Sequence, residues 1–386
     1  MSNAILPGAK LGMLGGGQLG RMFVSAARTM GYEVIVLDPD ANSPAGSMAS
    51  EHLQANYDDR EALDYMAKHC AAVSTEFENI PADTLEYLAN SVPVHPSASA
   101  LRIAQNRYSE KIFFQSLGLG VADFLPIGSA VDVEQARGFS FPAILKTNTL
   151  GYDGKGQVVC QNHHELLNAA SQLGSITYLL EKRIDLAKEV SVVLCRSQAG
   201  AVDCFPLAEN QHSNGILDIS IAPANLSQEM TSEVIEAATK IAHGLDYCGV
   251  MAVEFFISSN NEILINEMAP RPHNSGHYTL DACFTSQFEQ QVRMMCSLSA
   301  GDSALHTPVA MWNVLGDIWP ESASPKWDDL LKHGKAKLHL YGKSEARVGR
   351  KMGHVNFLGD STQQALELLL LTKQKLVSEK SHGPAG

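Results

Sequence analysis

The stretch MAVEFFISSNNEILINEMAPRPHNSGH, residues 251–277, decides how this chain is read. Val250 to Ile257 and Glu262 to Met268 alternate apolar and polar side chains about Ser258-Ser259-Asn260-Asn261, the pattern of a half-buried hairpin. Centred on Asn260-Asn261, such a hairpin sets Ala252 opposite Ala269, Glu254 opposite Glu267 and Phe256 opposite Ile265, with cross-strand Cβ atoms roughly 5 Å apart. Two carboxylates at that separation repel by on the order of 3 kcal/mol at an effective dielectric of about 20. A shared proton or a divalent cation relieves the repulsion. A hard cation such as Mg²⁺ takes one or two carboxylates and fills its remaining positions with water and phosphate oxygens, so the pair suggests phosphoryl transfer. Taken alone, the hairpin leaves open two solvated glutamates on an exposed face, or a register one residue off. The residues just beyond it, Arg271, His273, Asn274 and His277 on a Gly/Pro-rich loop, are dense in donors and suit an anion or substrate site.

Upstream lie further segments of the same chemistry. Lys146 ends a strand and precedes a glycine-rich loop, Thr147-Asn148-Thr149-Leu150-Gly151-Tyr152-Asp153-Gly154-Lys155-Gly156-Gln157, which lacks the Walker order. Such a loop reads either as a flap whose amides close over a triphosphate beside a lysine point charge, or as a flexible hairpin tip. Tyr178 to Ile184 reads as a buried strand turning polar at Glu181, where a backbone amide and carbonyl would meet an adenine edge with Glu189 eight residues on as a ribose acceptor, or as a strand whose acidic end is simply solvated. Ala208 to Leu217 reads as a polar loop carrying His212.

The first third alternates strands (Leu11 to Leu14, Val34 to Leu37, Ala71 to Thr75) with helical stretches, as a parallel α/β domain does. Gly15, Gly17 and Gly20 match G-x-G-x-x-G after the first strand, and Asp38 ends the second. That pairing supports a rival NAD-dependent oxidoreductase, although amides at a helix N-terminus hold any phosphate. A third reading gives the glycines only a packing role. Val92-Pro93-Val94-His95-Pro96-Ser97 marks a domain joint, and a helix is expected from about Ser99 to Ser116. From Phe141 to Ile257 the chain reads as α+β on antiparallel strands, with one long helix over Gln228 to Leu245. The last 80 or so residues hold the strand AKLHLY, a basic segment Arg347 to His354 and a final amphipathic helix.

With 386 residues the chain has room for two or three domains. A formal charge of −13 disfavours a nucleic-acid partner. The seven cysteines show no C-x-x-C spacing and read as reduced thiols of a cytoplasmic protein. The longest apolar run near the C-terminus, Leu368 to Leu371, is too short to span a membrane.

In order along the chain, the glycine turn, Lys146 before its flap, Glu181 with Glu189, and Glu254 with Asn266-Glu267 resemble the ATP-grasp ligases. Within that superfamily GGGQLGRM, GYDGKGQ, NEMAPRPHNSGHYT and GRKMGH are similar to the N5-carboxyaminoimidazole ribonucleotide synthase family of purine biosynthesis. A formate-dependent glycinamide ribonucleotide transformylase-like enzyme shares the layout. The resemblance implies a mixed α/β and α+β fold: a Rossmann-like, pre-ATP-grasp domain over 1–98, an ATP-grasp domain over 99–300 with a mobile lid near 123–182, and a small C-terminal domain over 301–386. It implies ATP at Arg107, Lys146, the lid Gly151, Tyr152, Asp153, Gly154, Lys155, Gly156 and Gln157, the adenine segment Glu181, Lys182, Arg183 and Ile184, then Glu189, His212, Asn266 and Glu267. Mg²⁺, for which Mn²⁺ can substitute, would sit on Glu254 and Glu267. Strand alternation puts Asn266 on the face opposite Glu267, so a role for Asn266 there needs a bulge. The nucleotide substrate would meet Gly17, Gln18, Leu19, Asn274, Ser275, Lys343, Arg350 and Lys351, its phosphate lying between the glycine turn and Arg347, Arg350 or Lys351. Tyr152, Asp153, Lys155, Arg271 and His273 would serve catalysis, with bicarbonate as co-substrate and Asp153 as the base for the amine. A homodimer is expected, with no nucleic-acid or membrane partner.

Overall fold

The computed structural model describes residues 4–149, 156–172, 177–320 and 324–381. Residues 151–155 of the expected flap, including Tyr152, Asp153 and Lys155, lie outside them. Near the N-terminus five parallel strands form a sheet in the order Glu51–Leu53, Glu33–Leu37, Lys10–Leu14, Ala72–Thr75, Val94–His95. Its central strands are nearly continuous apolar runs, as a sheet covered on both faces requires. Helix Gln18–Thr29 buries Phe23, Val24 and Ala27 in the same core as Leu11, Val34 and Val36. Each such side chain contributes about 1.5–3 kcal/mol by burial.

A nine-stranded sheet forms the body of the molecule. It runs from Ile263–Ala269 through Gly249–Ser258, Leu186–Arg196, Ala208–Ser213, Ile216–Ala222, Val309–Leu315 and Lys351–Leu358 to Ala336–Leu340, with Val202–Cys204 pairing beside Leu186–Arg196. The C-terminal strands therefore extend the central sheet and do not build one of their own. Helix Gln228–Gly244 packs Val234, Ala238 and Ile241 onto Val190, Val192 and Leu194. Phe124–Ile127, Tyr178–Lys182, Ala143–Thr147 and Gln157–Cys160, in that order, form a smaller antiparallel sheet.

Two expectations change. Ala208 to Leu217 is not a loop: Ala208–Ser213 and Ile216–Ala222 pair as a hairpin about Asn214-Gly215, both at positive φ (51° and 76°). Asn-Gly is the strongest tight-turn signal, but Glu209 to His212 are polar and conceal the strand. The helix from Ser99 is two helices, Ala98–Ala104 and Arg107–Ser116, because the Asn106 side chain accepts from the Ser109 amide and starts a second helix. No helix among the described residues is long and apolar enough to cross a membrane.

Candidate active site

The acidic hairpin forms in the expected register at its functional end. Ala252 pairs with Ala269 and Glu254 with Glu267, but a bulge follows, so that Phe255 meets Ile265 and Phe256 meets Leu264, not Ile265. Asn266 is the extra residue. A bulge lets neighbouring side chains leave the strict two-residue alternation, which is the condition Asn266 needed to join Glu267. The bulge is anchored from helix Arg107–Ser116. Lys111, itself buried, donates to the carbonyls of Ile265 (3.3 Å) and Asn266 (2.9 Å) and to Glu181 Oε1 (2.9 Å). One turn away Arg107 donates to Glu267 Oε2 (2.8 Å), and Glu110 accepts from the Met268 amide (2.8 Å). Positions i, i+3 and i+4 share one helix face, so this helix turns three ionisable groups, two of them cationic, onto the back of the hairpin.

Glu254 and Glu267 line a cleft of about 490 Å³ together with Gly17, Gln18, Arg107 and His273. Burial, and then the nearby Glu267 charge, push the Glu254 carboxyl up to about 7. Glu267 is held below its ordinary value because Arg107 and Lys146 outweigh its burial. The pair thus keeps one proton near neutrality or exchanges it for a cation. Two carboxylates fit Mg²⁺ or Mn²⁺ whose other positions come from substrate and water. Among the described residues no group of three or more His, Cys, Asp or Glu could hold a metal by itself.

A second cavity of about 580 Å³ is lined by Lys146, Glu181, Lys182, Arg183, Ile184 and Glu189, with Phe256 on its wall. Glu181 is buried and not solvated. Its burial would raise it, but Lys146 (2.7 Å) and Lys111 hold it down to about 2. Of the two lysines on Glu181, Lys146 lines this cavity, where a phosphate would meet its charge. The amides of Lys182 and Arg183 bond to the carbonyls of Asp123 and Pro142, so an adenine edge reading backbone must use the segment just beyond them. His212 sits on its strand 2.7 Å from Glu189 Oε2, and despite burial this contact raises the ring above its ordinary pKa.

The glycine turn is already occupied by protein. Asp38 accepts from the Gly16 amide (2.7 Å) and the Tyr57 hydroxyl (2.8 Å), and Glu76 accepts from the Gly17 and Gly20 amides. A Cβ on Gly17 would lie 2.6 Å from Glu76 Oε1, so a larger residue here would displace the carboxylate from the turn amides. Two internal carboxylates take the place a dinucleotide phosphate would fill, and Asp38 is spent on the turn, which removes the basis of the oxidoreductase reading. Gly17, Gln18 and Leu19 still line the cleft, with Gln18 held by Lys343 (2.5 Å).

Other expected residues divide. Arg271 lines the cleft, but it is not a free anion binder: its Nε and one terminal nitrogen clasp both oxygens of Glu78 (2.5 and 3.0 Å). His273 accepts at Nδ1 from the Ser275 amide (3.3 Å), so its proton sits on Nε2, 3.6 Å from Glu254. Burial, with Arg271 and Lys351 nearby, keeps that ring neutral. Ser275 is fully buried and bonds Ser191 and His273, so it orients the histidine and does not face the cleft. Asn274 lines the cleft with neither end of its carboxamide partnered among the described residues. Lys343 and Lys351 line it too. Arg350 instead donates to the Glu345 carbonyl (2.8 Å), and the exposed Arg347 faces Glu345. Glu76, Glu78 and Gln287 have no local signal in the sequence, whereas Glu110 and Lys111 lie in Asn106-Arg107-x-x-Glu110-Lys111, a cap followed by ionisable side chains on one helix face.

Residues 112–288 match the family model of the ATP-grasp domain, residues 8–105 the ribonucleotide synthetase preATP-grasp domain, and residues 309–368 the phosphoribosylaminoimidazole carboxylase C-terminal domain. The chain is an ATP-grasp enzyme. It is 43% identical over 356 residues to the N5-carboxyaminoimidazole ribonucleotide synthase of Bacillus subtilis strain 168, covering 92% of each chain. The structure superposes on an ADP complex of an N5-carboxyaminoimidazole ribonucleotide synthetase with a TM-score of 0.91 and 40% identity, covering 99% of this chain and 100% of that one. On the Aspergillus clavatus N5-carboxyaminoimidazole synthase in complex with ADP and 5-aminoimidazole ribonucleotide the TM-score is 0.87 at 29% identity, covering 97% and 99%. The chain belongs to the N5-carboxyaminoimidazole ribonucleotide synthase family.

Proposed function

We propose that the chain carboxylates 5-aminoimidazole ribonucleotide to N5-carboxyaminoimidazole ribonucleotide in purine biosynthesis, spending ATP and bicarbonate. The observation that carries the reading is the register of Glu254 with Glu267 on the wall of a cleft tied through Lys111 to a lysine-rich second cavity. ATP would occupy the 580 Å³ cavity, its phosphates reaching Lys146 and Arg107. The aminoimidazole ribonucleotide would occupy the 490 Å³ cleft, with Gly17, Gln18, Leu19, Asn274, Lys343 and Lys351 about it. A bound Mg²⁺ on Glu254 and Glu267 would neutralise charge on the transferring phosphoryl group.

Bicarbonate is a poor electrophile. An oxygen of bicarbonate attacks the γ-phosphorus, the bond to ADP breaks, and the resulting carboxyphosphate loses phosphate as the exocyclic amine takes its carbon. His273, protonated at Nε2 and neutral, donates to anionic oxygen and does not take the amine proton. Asp153, the base that the resemblance implies, lies outside the described residues. The Glu78–Arg271 clasp orders the loop, and His273, Lys343 and Lys351 line the same cleft, with Lys343 itself bonded to Gln18 and the Lys351 carbonyl. The domain limits near 98 and 300, a cytoplasmic location and a homodimer belong to the same proposal. ADP release that requires both bicarbonate and aminoimidazole ribonucleotide supports the reading. Release with formate and glycinamide ribonucleotide in their place, or NAD-dependent turnover, overturns it.

A further inference from the structure

Behind the cleft loop, four side chains that the mechanism does not use meet in a sealed polar layer. His277 follows the loop, and His354, Asn356 and Asn313 stand on strands Lys351–Leu358 and Val309–Leu315; all four are 0% exposed. His277 Nε2, His354 Nε2, Asn313 Oδ1 and Asn356 Oδ1 have no hydrogen-bond partner among the described residues. A buried polar atom left unmet is destabilising, so four together call for an occupant.

The remaining hydrogen bonds fix what each atom offers. Gln287 accepts from the His273 amide at Oε1 (2.8 Å), so its other end is the nitrogen, which donates to the His273 carbonyl (2.8 Å) and to His277 Nδ1 (3.1 Å). His277 Nδ1 is therefore an acceptor and Nε2 carries the proton. The Tyr341 hydroxyl has His354 Nδ1 (3.0 Å) as its one partner among the described residues; it donates there and leaves a proton on His354 Nε2. Asn356 Nδ2 faces the His277 carbonyl (3.1 Å) and Asp281 Oδ2 (2.7 Å), and Asn313 Nδ2 faces the Leu217 carbonyl (2.7 Å). Both free amide atoms are consequently oxygens. Burial keeps both rings neutral, each lowered well below the ordinary histidine value.

The four groups share one wall. The two ring centroids are 4.8 Å apart, Asn313 is the cross-strand partner of His354, and Asn356 lies two residues along on the same face. Two N–H donors turn away a cation and two carbonyl oxygens turn away an anion, while an apolar atom would satisfy none of the four. The complement of two donors and two acceptors is water, and buried waters make two to four such bonds. We propose that His277, His354, Asn313 and Asn356 bind one structural water molecule, which accepts from both imidazoles and donates to both carboxamides. Through His277 and Gln287 this water ties the C-terminal strands to the backbone of His273, the residue facing Glu254.

A crystal structure of the full chain, at a resolution that places ordered solvent, tests the proposal. The expected result is one peak within about 2.7–3.2 Å of all four atoms, without anomalous signal. No peak, direct bonds from the rings to the asparagine oxygens, or an anomalous metal peak overturns it. Water-¹⁷O relaxation dispersion on the wild type and Asn313→Leu gives a second measurement. One fewer long-lived water in the variant supports the site, and an equal count in the folded variant overturns it. Should the variant fail to fold, the crystallographic peak decides.

Discussion

Replacing Lys111 by methionine keeps most of the side-chain volume and removes the charge that joins the two cavities. In the wild type that ammonium serves three acceptors: Glu181 at 2.9 Å and the carbonyls of Ile265 and Asn266 at 3.3 and 2.9 Å. Breaking a buried ion pair costs roughly 3–5 kcal/mol, and the lower end applies because Lys146 stays on Glu181 at 2.7 Å. Two carbonyls lose a charged donor, at about 1 kcal/mol each where no other donor reaches them. The expected loss is about 3–5 kcal/mol, the upper figure applying if neither carbonyl finds another donor, and that is a large share of the roughly 5–15 kcal/mol that holds a folded domain. Urea unfolding should show it as a midpoint lowered by about 1 M or more. The bulge at Asn266 would also slacken, so turnover of the folded fraction should fall about tenfold or more while KM for ATP changes less. A stability loss under about 1 kcal/mol with unchanged turnover would refute the anchoring role.

Glu78 is lowered from 4.5 to about 2 because Arg271 outweighs its burial. That shift is worth on the order of 3 kcal/mol, present above the unfolded value and lost as pH falls through the folded one. Glu78→Gln should therefore be less stable than wild type at pH about 7, with the gap closing by pH about 2; a gap that does not change with pH contradicts the pairing. Glu110 has the opposite sign, since burial and the Glu267 charge raise it to about 8. Its contribution is full below the unfolded value and is lost as pH rises through about 8, whereas a glutamine keeps the bond to the Met268 amide and does not titrate. Glu110→Gln should lose less stability than wild type on going from neutral to alkaline pH, and parallel curves would count against a neutral Glu110.

Much of this architecture was readable wherever a local pattern had one physical cause. The alternation around Asn260-Asn261 placed Glu254 opposite Glu267, and the apolar runs of the first third placed the parallel sheet. What could not be read is what distant parts of the chain supply. Nothing near Gly17 indicates that Glu76, 59 residues on, accepts its amide, or that Glu78 reaches Arg271 across 193 residues. The bulge at Asn266 depends on Lys111, 154 and 155 residues before the carbonyls it holds. The strand bearing His212 was concealed because a strand that carries site groups is polar where an ordinary strand is apolar. Arg350 looked like a phosphate ligand by sequence position, yet its backbone places the guanidinium on the Glu345 carbonyl.

In the proposed mechanism Glu254 and Glu267 act as a pair on a divalent cation during phosphoryl transfer. ADP release by Glu267→Gln, titrated with Mg²⁺ and compared with wild type at matched circular dichroism, tests it most directly. The expected result is an intact fold with ADP release lowered about a hundredfold or more, and a higher Mg²⁺ requirement for whatever activity remains. Wild-type turnover at the wild-type Mg²⁺ requirement in that variant would contradict it.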